Sequence, residues 1–531
     1  MLSESGLLRP GLLLLFSLAV YYYGYLWYLP QRRLRARGIK LPPGPKQEWL
    51  TGNVHQLPRI HPWLTFTSWS KIYGPVIYLR TFNKSTIILN SGKAALELLE
   101  SRSGITSDRP ASLMGGKISG RKVPGVFRTS STDPRFQFFR RLLRNGLNPR
   151  ASKDYRPIQL QENQILLQNL TNFPQDYGAH IRRNAVAVVL KVAYGYQVES
   201  NDDPLVHQLE HTFKLAGSLN APGKYWVEYF PILRFIPSWF PGGGFKKIAR
   251  AIGQEMKRTE MAPFEWAKNQ IERGEFVESF TSKHLLEGGE TLDENSLSDI
   301  RLCAAALYVG GGDTTVSALL TFILLMTLHP EIQKRAQKDI DALAPNRLPS
   351  HDDYESLPYI RAIIKETLRW GPVAPLGLSH RAMEDDIYEN YFIPKGATII
   401  ANIWCVHAIS DSPTPIDGPS RAIVHDEEIY PDPHVFNPER HLGNPEERQL
   451  DPFKFVFGFG RRACPGAHLA EMSLFLNITS ILAVFDISKA VDKKGMEIEP
   501  KIEWSSGTTM HLKPFQCQIK PRSKERQSLY E

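Results

Sequence analysis

The chain has 531 residues, of which 42% are hydrophobic and 22% charged, the composition of a folded protein with a sizeable core. Its net charge is +9, but no basic run with interleaved aromatic residues stands out, so we expect no nucleic-acid partner. The four cysteines are too widely spaced to suggest a disulfide framework. We therefore expect the body of the chain to face a reducing compartment.

Residues 11–29 form a nearly continuous apolar run, close to the roughly 20 residues that a membrane-spanning helix needs. Four arginines and Lys40 follow this run, whereas only Arg9 precedes it, so the positive-inside rule places everything after Pro30 in the cytoplasm. A cleaved signal peptide is the alternative, but the run is long for one and lacks a small-residue cleavage site. The pattern predicts that residues 1–30 are a single-pass anchor in the endoplasmic reticulum membrane.

A basic, proline-rich hinge is expected over residues 31–46, followed by one large domain over residues 47–531. Helical periodicity dominates this domain. Short strands are expected at Val76–Leu79, Thr86–Leu89, near Leu376–Ile387 and at Thr398–Trp404. The predicted fold class is mainly α with small β-sheets.

Residues 221–244 are rich in aromatic side chains and are interrupted by prolines, so they cannot form one regular helix. Two interpretations remain open. The segment is either a loop packed on the core, or a second membrane contact that roofs a substrate entrance.

The helix predicted over Ser296–Leu328 is long and apolar enough to be a second membrane span. Glycines at 310–312 would weaken such a span, and Asp313 would be costly in lipid. In a soluble core the glycines let a flat ligand lie against the helix, and the Thr314 hydroxyl can donate to the carbonyl of Gly310 one turn earlier. Asp313 and Thr314 then form a proton route on that face.

Cys464 stands in a glycine-rich stretch, without the nearby partners that a zinc cluster or a local disulfide needs. Gly460 and Gly466 let the backbone turn tightly around its sulfur. A helix predicted from Ala467 to about Val484 begins just after it, and the positive end of that helix favours a thiolate. Arg462 can pair with an anionic group on a ligand that the thiolate binds. A buried, inert cysteine in a glycine turn is the alternative.

Phe457, Gly460, Arg462, Cys464 and Gly466 match the pattern Phe-x-x-Gly-x-Arg-x-Cys-x-Gly. This stretch resembles the haem-binding loop of the cytochrome P-450 family, and the segment with Asp313 and Thr314 resembles that family's oxygen-activation motif. The likeness covers essentially the whole chain after the anchor. It is similar to fungal microsomal members such as the O-methylsterigmatocystin oxidoreductases and the tryptamine 4-monooxygenases.

The resemblance implies the cytochrome P-450 fold, with haem b bound through its iron to the thiolate of Cys464. Such an axial thiolate pushes electron density that favours O–O cleavage. The implied reaction is hydroxylation of an apolar small molecule of terpenoid, polyketide or indole type in secondary metabolism, with Asp313 and Thr314 guiding protons. Residues 371–377, which are largely apolar, should line the substrate pocket.

The resemblance also implies partners for electron transfer. The chain carries no Gly-x-Gly-x-x-Gly fingerprint, so electrons from NADPH must come through a separate NADPH–cytochrome P-450 reductase, with a b-type cytochrome as an additional donor. Lys454, Arg461 and Arg144 are candidates for the reductase's docking face.

In relatives, an arginine of the predicted helix Pro134–Leu147 and a later histidine hold the haem propionates, which implies these roles for Arg140 and His380. Relatives usually have a tryptophan four residues before that arginine, whereas Phe136 stands here and cannot donate a hydrogen bond. The alternatives are a solvated helix face for Arg140 and a strand-edge position for His380.

Glu366 and Arg369, at i and i+3 of the predicted helix Tyr359–Trp370, resemble the family's Glu-x-x-Arg motif, which a third arginine closes into a buried triad. That third residue would be Arg440. The alternative is a surface pair that stabilises the helix by roughly 0.2–0.5 kcal/mol. Residues 405–421 form a polar, proline-rich insert that relatives usually lack, which predicts a disordered surface loop or a retained intron in the gene model.

Two other functions remain open from the sequence. The first is a haem-thiolate isomerase or dehydratase that needs no reductase, against which the intact Asp313 and Thr314 argue. The second is a non-catalytic haem-binding protein, against which the apolar pocket and the complete oxygen motif argue.

Overall fold

The computed structural model describes residues 38–121, 125–219, 224–404, 422–444 and 448–530. The predicted anchor at residues 1–30 and the insert at residues 405–421 lie outside the described residues.

Helices dominate the described chain. The longer ones are α1 (Pro62–Tyr73), α2 (Pro134–Leu147), α3 (Arg156–Asn172), α4 (Tyr177–Tyr194), α5 (Pro204–Leu219), α6 (Phe245–Arg273), α7 (Phe280–Gly288), α8 (Glu294–Leu328), α9 (Pro330–Leu343), α10 (Pro358–Trp370) and α11 (Ala467–Val484). Single helical turns lie at Gly92–Ala95, Ser103–Thr106, Ala151–Asp154, Phe453–Val456 and Lys524–Gln527. The four helices that the sequence predicted are α2, α8, α10 and α11, and their observed ends differ from the predicted ones by two residues at most.

Three small sheets accompany these helices in the described residues. Their strands are β1 (Val76–Thr81), β2 (Lys84–Leu89), β3 (His380–Arg381), β4 (Asp386–Tyr388), β5 (Tyr391–Ile393), β6 (Thr398–Ala401), β7 (Phe485–Val491), β8 (Glu497–Ile498) and β9 (Cys517–Pro521). The largest sheet has the order β1-β2-β6-β3, in which β1 and β2 form the expected antiparallel hairpin and β2 pairs parallel with β6. The prediction of a mainly α fold with small β-sheets is confirmed.

Helix α8 runs through the core of the domain. Its first turn is capped by Asp293, whose side chain accepts a hydrogen bond from the backbone of Ser296 at 2.8 Å. Among the described helices, α8 and α11 are long and apolar enough to cross a membrane, but 67% and 72% of their apolar windows are buried inside the fold. The prediction that α8 is a core helix is therefore confirmed.

The glycines of α8 are explained largely by helix packing. A Cβ on Gly311 would overlap a methyl group of Val189 on α4, and a Cβ on Gly312 would lie 2.7 Å from Leu209 on α5. Gly310 and Gly311 also border the central cavity, whereas Gly312 is buried between helices. The expectation that the glycines make room for a flat ligand is thus wrong for Gly312, because a neighbouring helix fills that space.

The end of the predicted hinge packs against the domain. The backbone N–H of Tyr78 on β1 donates to the carbonyl of Pro43 at 2.9 Å, and the side chain of Asn53 donates to the carbonyl of Pro45 at 3.1 Å. A Cβ on Gly44 would overlap the carbonyl of Tyr78, so the absence of a side chain permits this close approach.

The aromatic segment forms two 3₁₀ turns in its described part, Trp226–Glu228 and Pro231–Phe235. The prediction that its prolines prevent one regular helix is confirmed. Glu228 ties the segment to residues 112–114, because its carboxylate accepts from the Ser112 hydroxyl at 2.8 Å and from the backbone of Met114 at 2.8 Å.

Candidate active site

A cavity of about 1140 Å³ lies between α8, the glycine-rich loop before α11 and the C-terminal segment. Apolar side chains of α4, α8 and residues 373–378 form much of its wall, as expected for residues 371–377. Cys464 lies on the same wall. The residue carries accessible surface although it is deep inside the protein, because it borders the cavity.

The loop around Cys464 is held by its own backbone. The N–H of Cys464 donates to the carbonyl of Phe457 at 2.7 Å. Gly460 has a φ of 50°, and a Cβ there would overlap Ser103 and the carbonyl of Leu99. A Cβ on Gly466 would lie 4.0 Å from the sulfur, which is an ordinary van der Waals contact. The absence of a side chain at Gly460 therefore permits the tight turn of the loop that carries the sulfur.

The electrostatic surroundings of the sulfur include a cation. Burial raises the pKa of the Cys464 thiol, while the N–H of Gly466 and the positive charge of Arg140 act in the opposite direction. The Arg140 guanidinium donates to the carbonyl of Ala463 at 2.8 Å. The structure thus places Arg140 directly against the cysteine loop.

Two further guanidinium groups, those of Arg109 and Arg462, face the cavity. Backbone carbonyls hold both: Leu378 and Ser379 accept from Arg109 at 2.6 and 2.8 Å, and Ser107 and Thr129 each accept from Arg462 at 2.7 Å. Burial and the repulsion of Arg462 lower the pKa of Arg109 to about 9. Burial likewise lowers the pKa of Arg462 to about 10. Neither group forms an ion pair with a carboxylate of the described residues.

His380 lies beside these two cations on the first strand after the pocket wall. Its Nδ1 is 3.0 Å from the carbonyl of Thr106, which only accepts, so Nδ1 carries the proton. Burial and the charges of Arg109 and Arg462 lower the pKa of His380 to about 3. The imidazole is therefore neutral at physiological pH.

Phe136 lies under the guanidinium of Arg462, whose carbon is 4.1 Å from the centre of the ring. The ring is almost fully buried. It cannot donate a hydrogen bond, but it holds Arg462 through a cation–π contact.

These groups fit a haem. Arg109 and Arg462 are desolvated and repel one another. A ligand with carboxylates would offset both the desolvation of the two guanidinium groups and their mutual repulsion. The cavity offers an apolar space beside them, with an exposed cysteine on its wall. The residues present therefore match a flat, apolar ring system that carries acidic substituents and an iron.

Helix α8 presents Asp313 and Thr314 to the same cavity. The Thr314 hydroxyl donates to the carbonyl of Gly310 at 2.8 Å, as the sequence predicted. Asp313 accepts from the Thr509 hydroxyl and lies 3.0 Å from Nε2 of His511. Burial would raise the pKa of Asp313, but the hydrogen bonds and charge of these partners outweigh it and lower that pKa.

Glu366 is the centre of a buried ionic cluster away from the cavity. Its carboxylate accepts from Arg369 at 2.7 and 2.8 Å and from Arg440 at 3.1 Å. Nε2 of His441 lies 2.9 Å from the same carboxylate. The structure thus brings together the three residues that the sequence grouped and adds a histidine to them. The side chain of Glu366 is 0% exposed, which excludes the alternative of a surface pair.

Sequence reasoning missed Arg109, His441, Thr509 and His511. Arg109 lies in a loop with other basic residues, and no local pattern distinguishes it from them. His441 directly follows Arg440, so its proximity to Glu366 followed from the triad and could have been found. Thr509 meets Asp313 across 196 residues of sequence, and only tertiary packing makes that contact.

Comparison with known proteins places these features in a family context. The family model described as cytochrome P-450 matches residues 42–411 and 416–519, and the break falls within the insert. The cytochrome P-450 monooxygenase claR of Ampulloclitocybe clavipes is 40% identical over 93% of this chain and 88% of its own length. The corresponding values are 39%, 95% and 94% for cytochrome P-450 monooxygenase 208 of Postia placenta. They are 37%, 91% and 90% for cytochrome P-450 monooxygenase ple1 of Rhodocybe pseudopiperita.

Proposed function

The chain belongs to the cytochrome P-450 family, and from that premise we propose that it hydroxylates an apolar small molecule in fungal secondary metabolism. Members of the family are oxidoreductases that use dioxygen, hold a haem iron through a cysteine thiolate and receive electrons from NADPH through a reductase. One observation carries the proposal: Cys464, the Arg109 and Arg462 cations and the apolar wall all face one cavity.

We assign the roles in haem binding from that arrangement. Cys464 would hold the iron as a thiolate, within the loop that Phe457, Gly460 and Gly466 shape. Arg109, Arg462 and His380 would face the propionates. Arg140 contacts the backbone of the cysteine loop, and its role as a propionate ligand stays a prediction. Bound haem supplies the activation of dioxygen.

The residues of the chain would supply proton transfer and exclude water from the reaction. Asp313 and Thr314 hold and move protons at the cavity face of α8, because both side chains border the cavity. Residues 373–378 and the apolar side chains of α4 exclude water from the reacting C–H bond. An apolar cavity of this volume suits a terpenoid, polyketide or indole skeleton.

The membrane contact has support outside the N-terminal segment. Trp226, Ile232, Phe235 and Trp239 are 64%, 75%, 70% and 80% exposed within one short segment. An exposed apolar cluster of this kind is typical of a membrane or protein contact. The segment packs on the β1–β2 hairpin through Phe82, whose ring centre is 5.1 Å from that of Phe230. We propose that this surface meets the same membrane as the anchor at residues 1–30.

Electrons would reach the haem from NADPH–cytochrome P-450 reductase, with a b-type cytochrome as a second donor. Lys454 and Arg461 are exposed on the segment that carries the cysteine loop, and Arg144 is exposed on α2, whose Arg140 contacts that loop. We propose that these three cations form the docking face for an acidic partner.

The test is to express the full chain with haem and a reductase in a host whose metabolites are known. The wild-type chain should show the ferrous–carbon monoxide spectrum of a thiolate-ligated haem, and Cys464→Ala should lose it. Metabolite profiles with and without the gene should reveal a product heavier than its precursor by one oxygen atom. An isomeric product formed without NADPH would contradict hydroxylation, and a haem protein that consumes no NADPH with any cell extract would contradict catalysis.

A further inference from the structure

The C-terminal hairpin around residues 504–512 contacts α8. Trp504 and Leu512 form an antiparallel bridge, and the backbone N–H of Ser505 donates to the carbonyl of His511 at 2.8 Å. A hydrogen bond near its tip joins it to α8, because the Ser317 hydroxyl of α8 donates to the carbonyl of Met510. Its tip, residues 505–509, lines the cavity. The hairpin is therefore part of the cavity wall and is joined to α8.

Two side chains of this hairpin hold one carboxylate of α8. The Thr509 hydroxyl donates to one oxygen of Asp313, and Nε2 of His511 lies 3.0 Å from the other. A carboxylate only accepts, so Nε2 of His511 carries the donated proton. Nδ1 of His511 is buried and has no hydrogen-bond partner among the described residues. Asp313 is thus the contact that orients the imidazole.

Other charged groups face this pair from neighbouring elements. Arg182 on α4 lies near Asp313 and forms an ion pair of 2.6 Å with Glu210 on α5, and both side chains border the cavity. On the hairpin itself, Lys513 is paired with Glu503 at 2.7 Å. Among the described residues, His511 and Thr509 are therefore the groups that bond Asp313 directly.

We propose that His511 and Thr509 are positioning residues that hold the carboxylate of Asp313, so that the C-terminal hairpin decides where the acid of α8 points during proton delivery. The inference rests on the proposed function, since it gives these residues a part in the same reaction. Thr314, the neighbour of Asp313, is engaged with the carbonyl of Gly310, so the two groups of the proton route are oriented by different parts of the fold.

The first measurement is the pH profile of NADPH consumption by the haem-loaded full chain with reductase, without added substrate. His511→Asn removes a bond that lowers the pKa of Asp313, so the acid limb of the profile should move to higher pH. Peroxide released per NADPH should rise about tenfold, the scale on which outer partners of a reactive group act. His207→Asn is the matched control, because His207 forms an exposed pair with Asp202 at 3.6 Å.

The second measurement needs no turnover. Hydrogen exchange of the backbone at residues 505–512 should become faster in His511→Asn and stay unchanged in His207→Asn. Thr509→Val should shift the pH profile and the hydrogen exchange in the same direction as His511→Asn does. Thr509→Ser keeps the hydroxyl, so both measurements should match the wild-type chain. The Thr509 variants test the role even if His511→Asn retains no haem.

An unmoved pH profile together with unmoved exchange in His511→Asn and Thr509→Val would overturn the positioning role. In that case a normal thiolate spectrum of the wild-type chain leaves the proposed function standing. A wild-type chain without that spectrum would overturn the proposed function, and the role in proton delivery with it.

Discussion

At the scale of single residues, the Glu366 cluster is a buried ionic centre that joins α10 to Arg440 and His441. Two arginines and a histidine surround one carboxylate in a site where Glu366 and Arg369 are 0% exposed. Burial alone would raise the pKa of Glu366, but Arg369 and His441 outweigh it and lower that pKa to about 2. The carboxylate is therefore ionised at physiological pH, and its charge compensates the buried cations.

Glu366→Gln should consequently leave those cations without a counter-charge. We expect the free energy of unfolding to fall by about 3–5 kcal/mol, measured by urea titration. The matched control is Glu272→Gln, which breaks an exposed helical pair of 3.9 Å with Lys268. That control should cost at most about 0.5 kcal/mol. Equal losses in the two variants would show that the cluster is not the buried charge centre described above.

His351 provides a pH-dependent test outside the cavity. It is buried after α9, and its Nε2 donates to the side-chain oxygen of Gln159 at 2.7 Å. Burial and the charge of Arg156 lower the pKa of His351 from 6.5 to about 4. The unfolded chain therefore takes up this proton first, so stability is lost as the pH falls through the window between these two values.

His351→Gln should flatten the dependence of the unfolding midpoint on pH within that window. His55→Gln is the control, because the side chain of His55 is 67% exposed. A slope in His351→Gln as steep as in the wild-type chain would contradict the assignment of this titration to His351.

At the scale of elements, the sequence located helices accurately where local caps and periodicity agreed. Helix α2 begins at Pro134 after Asp133, whose side chain accepts from the backbone of Arg135 at 3.0 Å, and both signals are visible in the sequence. The packing role of the glycines in α8 could not be predicted from the sequence. Gly311 and Gly312 face other helices, and a single sequence does not say which helix lies opposite.

Gly311→Ala tests that packing. The added Cβ would overlap the β-branched Val189, which has little freedom to move, so we expect a loss of about 1–3 kcal/mol in the free energy of unfolding. Gly178→Ala is the control, because it also lies in a helix but has open space where the Cβ would go. The control should be neutral or stabilising, by at most about 1 kcal/mol. A neutral Gly311→Ala would mean that α4 and α8 can move apart at little cost.

At the scale of the whole molecule, the net charge of +9 favours association with an acidic partner, and the proposed docking face can be tested by charge reversal. Reversal of Lys454, Arg461 and Arg144 to glutamate should slow reduction of the haem by reductase about tenfold and weaken its dependence on salt. The measurement is the rate at which the ferrous–carbon monoxide complex forms after NADPH is added. Reversal of Lys493, Lys494 and Arg273, which are also exposed, is the control of equal charge. Equal effects of the two triple variants would place the docking face elsewhere.

The sequence by itself determined the helical fold class, the core position of α8, the cysteine loop and the family. These rest on spacing along the chain: periodicity, caps, and five matched positions, of which Cys464 is one. Only the tertiary structure decided which distant groups meet. Arg109 joins Arg462 and His380 at the cavity, His441 joins Glu366, and the hairpin brings Thr509 and His511 to Asp313. Local energies act between neighbours in sequence, whereas these contacts arise when packed helices and strands enclose a shared space, and that geometry depends on the whole chain.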